Sequence, residues 1–175
     1  VHSGGQRIDV GVSRSGAYAG DAIRGYQNLW LDAEGRVFIK AGFGTSAMDV
    51  AERFKAFQIL ELGEVVVIDR DHKEAVKPCD RAYDQSVIGI VSTEPGFILG
   101  LEAEEVPIAL CGRVPCKVDA DIAAIEVGDL LTTSPTPGHA QKLLDSSRAV
   151  GTVIGKALEP LEKGQGKILV FVLSR

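Results

Sequence analysis

The residues of this chain best suited to chemistry are two acids, Asp49 and Glu52, in the stretch SAMDVAERF at 46–54. On a helix, residues three apart are neighbours, which sets the two carboxyls on one face. Two carboxyls that close do not ionise independently, and one keeps its proton near neutral pH. A carboxylic acid beside a carboxylate is equipment for hydrolysing an amide without a metal or a nucleophilic serine. The same spacing has a plain structural reading. Ser46 suits a helix N-cap, Asp49 suits the positive end of the helix dipole, and Val50, Phe54 and Phe57 recur at i, i+4 and i+7. Both readings predict a short linker helix over 46–58.

The other reactive residue types form no second constellation. Cys79, Cys111 and Cys116 are odd in number and contain no C-x-x-C pair. On one continuous strand Cys111 and Cys116 would face opposite sides and could not bond, so the cysteines read as small buried hydrophobes. His2, His72 and His139 are isolated near turn residues, which leaves a metal site little to build on. No cofactor is expected.

The elements around the acid pair divide into two regions. Residues 1–45 read as short strands punctuated by glycine, ending in a hairpin at 28–40 that turns on Asp32-Ala33-Glu34-Gly35. Leu29 and Leu31 should share a face with Val37 and Ile39, and Trp30 and Phe38 should lie on the other. A lone hairpin apolar on both faces cannot bury them by itself. This segment therefore reads as fibre-like, intertwined with other copies of itself, or else as an arm folded against its own barrel. Residues 59–175 carry an internal repeat. LELGEVVVID at 60–69 returns as IEVGDLLTTS at 125–134, aligning Glu61 with Glu126, Gly63 with Gly128 and Glu64 with Asp129. The same offset matches Lys77 to Lys142. After one inserted residue, VIGIV at 87–91 matches VIGKA at 153–157. Each copy closes on an alternating strand, VPIALCGRV at 106–114 and KILVFVLSR at 167–175. With no helical period of useful length, the two copies predict an all-β fold. The expected form is a duplicated pseudo-two-fold β-barrel or compact sandwich, preceded by the fibre-like segment and the short helix.

Composition excludes several partners. The 175 residues carry a formal net charge of −5, with basic residues scattered singly, which argues against nucleic acid and anionic membranes. No apolar run approaches the roughly 20 residues that cross a bilayer. The amino end, VHSGGQRIDV, lacks the regions of a signal peptide and starts in mid-pattern, as a piece of a longer chain would.

Taken together, DVAERF, VPIALCGRV and the loop GDLLTTSPTPGHA resemble a known family over about residues 44–175. This is the C-terminal intramolecular-chaperone domain of phage neck-appendage and tail-fibre proteins, a glutamic-type autoproteolytic peptidase domain also found at the end of longer bacterial proteins. The resemblance implies a homotrimer that holds three chains in register while an upstream fibre shaft of the same chain folds. It further implies self-cleavage at the Met48–Asp49 bond, with Asp49 and Glu52 as the catalytic pair and no separate substrate. Met48 stands where a serine or another small residue is expected. The implied location is a virion fibre or appendage, or a bacterial surface. The reading from a different class is a permanent cap or a receptor-binding tip. There the loops TTSPTPGHA, around His139, and STEPGF at 92–97 would contact a glycan, unless they are plain turns.

Overall fold

The computed structural model describes residues 29–31, 37–39, 47–100 and 104–173. The chain divides into two compact units, Val1–Gly44 and Thr45–Arg175. In the first, β1 (Leu29–Leu31) pairs antiparallel with β2 (Val37–Ile39), with Trp30 opposite Phe38. These are the arms of the predicted hairpin. Its turn, and the glycine-punctuated strands expected before it, lie outside the described residues.

Among the described residues the second unit has ten strands, in accord with the all-β expectation. In chain order they are β3 (Asp49–Phe54), β4 (Val65–Ile68), β5 (Val76–Pro78), β6 (Val87–Val91) and β7 (Phe97–Leu99). There follow β8 (Val106–Asp119), β9 (Leu130–Thr133), β10 (Ala140–Lys142), β11 (Val153–Ala157) and β12 (Gln165–Val172). Five of them run β10-β9-β11-β12-β8, and Ala140 pairs back onto Val118 to close a barrel. Closure removes the exposed edges that an open sheet would present.

The long strand β8 organises the rest. Its second half pairs with β12, and its first half lies between β6 and β3. The run of valines in β4 is buried throughout because it is covered on both faces. Val65 and Val67 enter a large core with Ile90, Val114, Leu131, Ile154 and Val170, drawn from both copies of the repeat. Val66 enters a smaller cluster with Val76, Val91 and Ile108, against which Phe54 of β3 packs.

At positions matched in sequence, the pairings agree in detail. Val66 stands opposite Gly89 and Leu131 opposite Gly155, and each pair is followed by a register shift that leaves out Ile88 or Ile154. A side chain on either glycine would meet the neighbouring backbone at 2.2 Å, from the carbonyl of Ala109 or of Phe171. Glycine is therefore required at both points by the same close approach of two strands. Two details depart from the sequence alignment. Lys77 faces Val67 while Gln141, not Lys142, faces Thr132. Val66 belongs to the small cluster, but Leu131 belongs to the large one.

The linker helix predicted over 46–58 does not form. Residues 49–54 are strand β3, paired antiparallel with β8 from Asp49–Gly112 to Phe54–Val106 and parallel with β7. The reason lies in an ambiguous period. Val50 and Phe54 are four apart, which puts them on one face of a helix and equally on one face of a strand. Beside the partner strand β8, the backbone groups of this stretch are satisfied by ladder hydrogen bonds. Phe57, which would have completed a helical face, is exposed and stacks on His72 with ring centroids 3.9 Å apart. Ser46, the expected cap, lies outside the described residues. Among the described residues no helix is long and apolar enough to cross a membrane.

Candidate functional site

Strand geometry separates the two predicted catalytic acids. Successive side chains alternate in a strand, so Asp49, Ala51 and Arg53 share one face and Val50, Glu52 and Phe54 the other. Asp49 and Glu52 thus point to opposite sides of the sheet, and the chain does not bring them together. Glu52 is half-buried, with Ile108 and Leu99 as its backbone partners.

Asp49 is buried at 7% exposure, and the Ser92 hydroxyl donates to its carboxyl at 2.7 Å. Ser92 is itself buried and fixed, its N–H donating to Pro107 O at 2.9 Å. Burial pushes the Asp49 carboxyl above the usual aspartate range, outweighing the opposing hydrogen bonds from Ser92 and from Asp49's own backbone N–H.

The bond itself is held on both sides. The Met48 carbonyl accepts from the Arg113 N–H at 3.0 Å, and the Asp49 carbonyl accepts from the Gly96 N–H at 2.9 Å. Gly112 presses against the peptide. It has φ +104, and a Cβ there would lie 2.3 Å from Met48 O and 2.7 Å from Asp49 Cα. Only glycine permits both that backbone conformation and that approach. A cavity of about 180 Å³ opens beside the bond, lined by Met48, Asp49, Glu94 and Arg113 among others. The arrangement therefore offers a polarised carbonyl, a carboxyl inclined to hold its proton, and room for water.

Sequence reasoning found Asp49 but missed its surroundings. Ser92 and Glu94 lie in STEPGF, read there as a turn or a glycan contact. The donor from Arg113 is a backbone group, which no side-chain pattern marks. Gly112 did leave a signal, an isolated glycine inside an alternating strand, which marks a bulge or a close backbone approach.

The acids of the two glycine turns have structural roles. Glu64 accepts from the Glu61 N–H at 3.0 Å, and Asp129 accepts from the Glu126 N–H at 2.7 Å. Lys117 lies 2.6 Å from Glu61 and 3.1 Å from Glu64, and Lys142 lies 2.7 Å from Asp129. The loop around His139 is likewise occupied with itself. Thr136 donates to Asp119, Ser134 Oγ accepts from the Thr136 N–H, and His139 Nδ1 lies 2.7 Å from Pro137 O. Among the described residues no three His, Cys, Asp or Glu converge as metal ligands.

Cys79 and Cys116 are buried, and Cys111 is partly exposed. Burial pushes the Cys79 thiol up to about 12, and the Cys116 thiol higher still. Because the thiolate is the reactive form, native-state labelling should modify Cys111 first. An Ellman assay should count one fast thiol in the folded chain and three in denaturant. Three fast thiols under native conditions would contradict the packing of the large core.

No family model matches the chain, and no curated protein matches it. Among solved structures, the crystal structure of pre-mature bacteriophage phi29 gene product 12 aligns over 83% of this chain, with a TM-score of 0.64 and 17% identity. The alignment covers 24% of that protein, so this chain spans about a quarter of its length. The bacteriophage phi29 gene product 12 C-terminal fragment aligns over 71% of this chain and 100% of its own, with a TM-score of 0.54 and 16% identity. What this chain shares with both is their fold.

Proposed function

We propose that the chain is an assembly module of a phage fibre or appendage protein. It holds three copies in register while an upstream β-structured segment folds, and is then released by a cut at Met48–Asp49. The observation that carries this reading is the immobilised Met48–Asp49 peptide at the start of the second unit. Its carbonyl is held by the Arg113 N–H, and its aspartate is buried. The shared fold supports the same reading, since it occurs in a pre-mature phage protein and also as that protein's C-terminal fragment.

The assembly half has a physical rationale. Intertwined β-structure forms slowly, because distant pairings carry a loop-closure cost before they contribute contacts. Tethering three chains at one end raises their local concentration to about the millimolar range. Self-association is supported by β7, where Phe97, Ile98 and Leu99 are all exposed. Consecutive strand residues face opposite sides, so apolar surface is uncovered on both faces of β7.

Sedimentation equilibrium tests the assembly half. A trimer is expected at micromolar concentration, and Ile98→Lys with Leu99→Lys should shift it toward smaller species. A monomer throughout that range would overturn it.

A further inference from the structure

Building on the reading that the Met48–Asp49 bond is cut, we infer that Ser92 is a positioning residue for that cut. Its hydroxyl holds the Asp49 carboxyl in one place through both of its protonation states. Both side chains are buried, Asp49 at 7% and Ser92 at 1% exposure, and Ser92 Oγ donates to Asp49 Oδ2 at 2.7 Å.

The serine is fixed independently of that bond. Its N–H donates to Pro107 O at 2.9 Å, and further along the same loop the Gly96 N–H donates to Asp49 O at 2.9 Å. The loop thus grips Asp49 by its side chain and its main chain at once. Two other buried aspartates have partners of a different kind. Arg81 Nη2 lies 2.7 Å from Asp84, and His72 Nδ1 lies 2.8 Å from Asp69. The His72 hydrogen bond brings Asp69 below the usual aspartate range. Asp84 lies below it too, where the Ser86 amide and Arg81 overcome burial. Asp49 has a neutral hydroxyl instead, and burial carries its carboxyl above that range.

A hydroxyl differs from a guanidinium in working both ways. It donates to an ionised carboxylate and accepts from the protonated acid, whereas arginine only donates and so favours the ion. The cut is a hydrolysis. The water oxygen bonds to the Met48 carbonyl carbon as the bond to the Asp49 nitrogen breaks. The two water hydrogens end on the new Met48 carboxyl and the new Asp49 amine. A carboxyl that relays one of them is protonated at one stage and ionised at another, and Ser92 keeps it oriented across that change. The charged side chains around Asp49 are Glu94 and Arg113, which line the same cavity, and Arg53 on the same face of β3, whose Nη1 donates to Glu105 O at 2.7 Å. All three stay unchanged in the test.

The test follows the first-order appearance of the fragment 49–175 from the freshly folded 175-residue chain by intact mass, from pH 4 to pH 8. Wild type, Ser92→Ala and Ser92→Thr are compared, with folding checked by circular dichroism. Ser92→Ala should cut about 100-fold more slowly at its optimum, the scale of a misplaced reacting group. The limb of its pH–rate profile set by Asp49 should also move to higher pH, because the lost hydrogen bond opposed the effect of burial. Ser92→Thr keeps the hydroxyl and should retain the wild-type limb and most of the rate. An unmoved limb in Ser92→Ala, or a moved one in Ser92→Thr, would overturn the role of Ser92 and leave the release reading standing. A wild-type chain that never cleaves would overturn release itself, and the role of Ser92 with it.

Discussion

Gly112→Val is expected to destabilise the second unit by more than about 3 kcal/mol, the scale of backbone strain combined with overpacking. Gly112 is the β8 residue opposite both Asp49 of β3 and Val172 of β12, so two strands meet the third at this point. Its φ of +104 is closed to a β-branched residue, and the added Cβ would overlap the carbonyl oxygen of Met48. Relief requires moving β3 away from β8, which also pulls the Met48 carbonyl off the Arg113 N–H. Urea denaturation should report a lower midpoint. Any protein that still folds should have lost cleavage. Gly128→Ala separates the two causes. Gly128 has a similar φ of +94 but nothing within 4 Å of an added Cβ, so it should cost only about 1 kcal/mol of conformational strain. Equal losses at the two glycines would mean that the close approach at Gly112 is unimportant.

Asp49→Asn is expected to abolish the cut while making the folded chain more stable at neutral pH. The folded Asp49 carboxyl is raised above its unfolded value, chiefly by burial. Its favourable contribution is therefore complete below the unfolded pKa and is lost as pH rises through the folded one. Above that folded value the ionised form is a buried charge that opposes folding, and the amide cannot ionise while it keeps an oxygen to accept from Ser92. The relief should appear as a higher Tm for Asp49→Asn than for wild type. The gain should shrink as pH falls through the raised Asp49 value. Asp84 behaves in the opposite sense. Burial raises its carboxyl, but the Ser86 amide and Arg81 together bring it below the usual range. Its stabilisation is present above the unfolded pKa and is lost as pH falls through the folded one. Thermal melts of both proteins between pH 4 and pH 8 check this. A Tm for Asp49→Asn below wild type at pH 7 would contradict the burial argument.

The sequence made the strands legible wherever alternation was unambiguous. VIGIV and VIGKA became β6 and β11 with matching glycines, because Gly89 and Gly155 each answer to a backbone oxygen 2.2 Å from an added Cβ. The hairpin register at Trp30 and Phe38 was likewise set by pattern. DVAERF was misread because a four-residue spacing fits both periods, and the deciding factor was a partner strand more than 50 residues later in the chain. The site divides in the same way. Asp49 was visible because it stands three residues from a second acid, Glu52. Its hydrogen-bond partner Ser92 is 43 residues away, and the donor to Met48 is a main-chain group. Neither leaves a local trace, and the repeat gave no hint of them because Asp49 precedes it.

The release of the second unit is tested most directly by weighing the folded 175-residue chain. Intact-mass spectrometry should find two species, residues 1–48 and residues 49–175, with the second beginning at Asp49. A single mass for the uncut chain, unchanged after prolonged incubation from pH 5 to pH 8, would contradict release and leave the module a permanent cap.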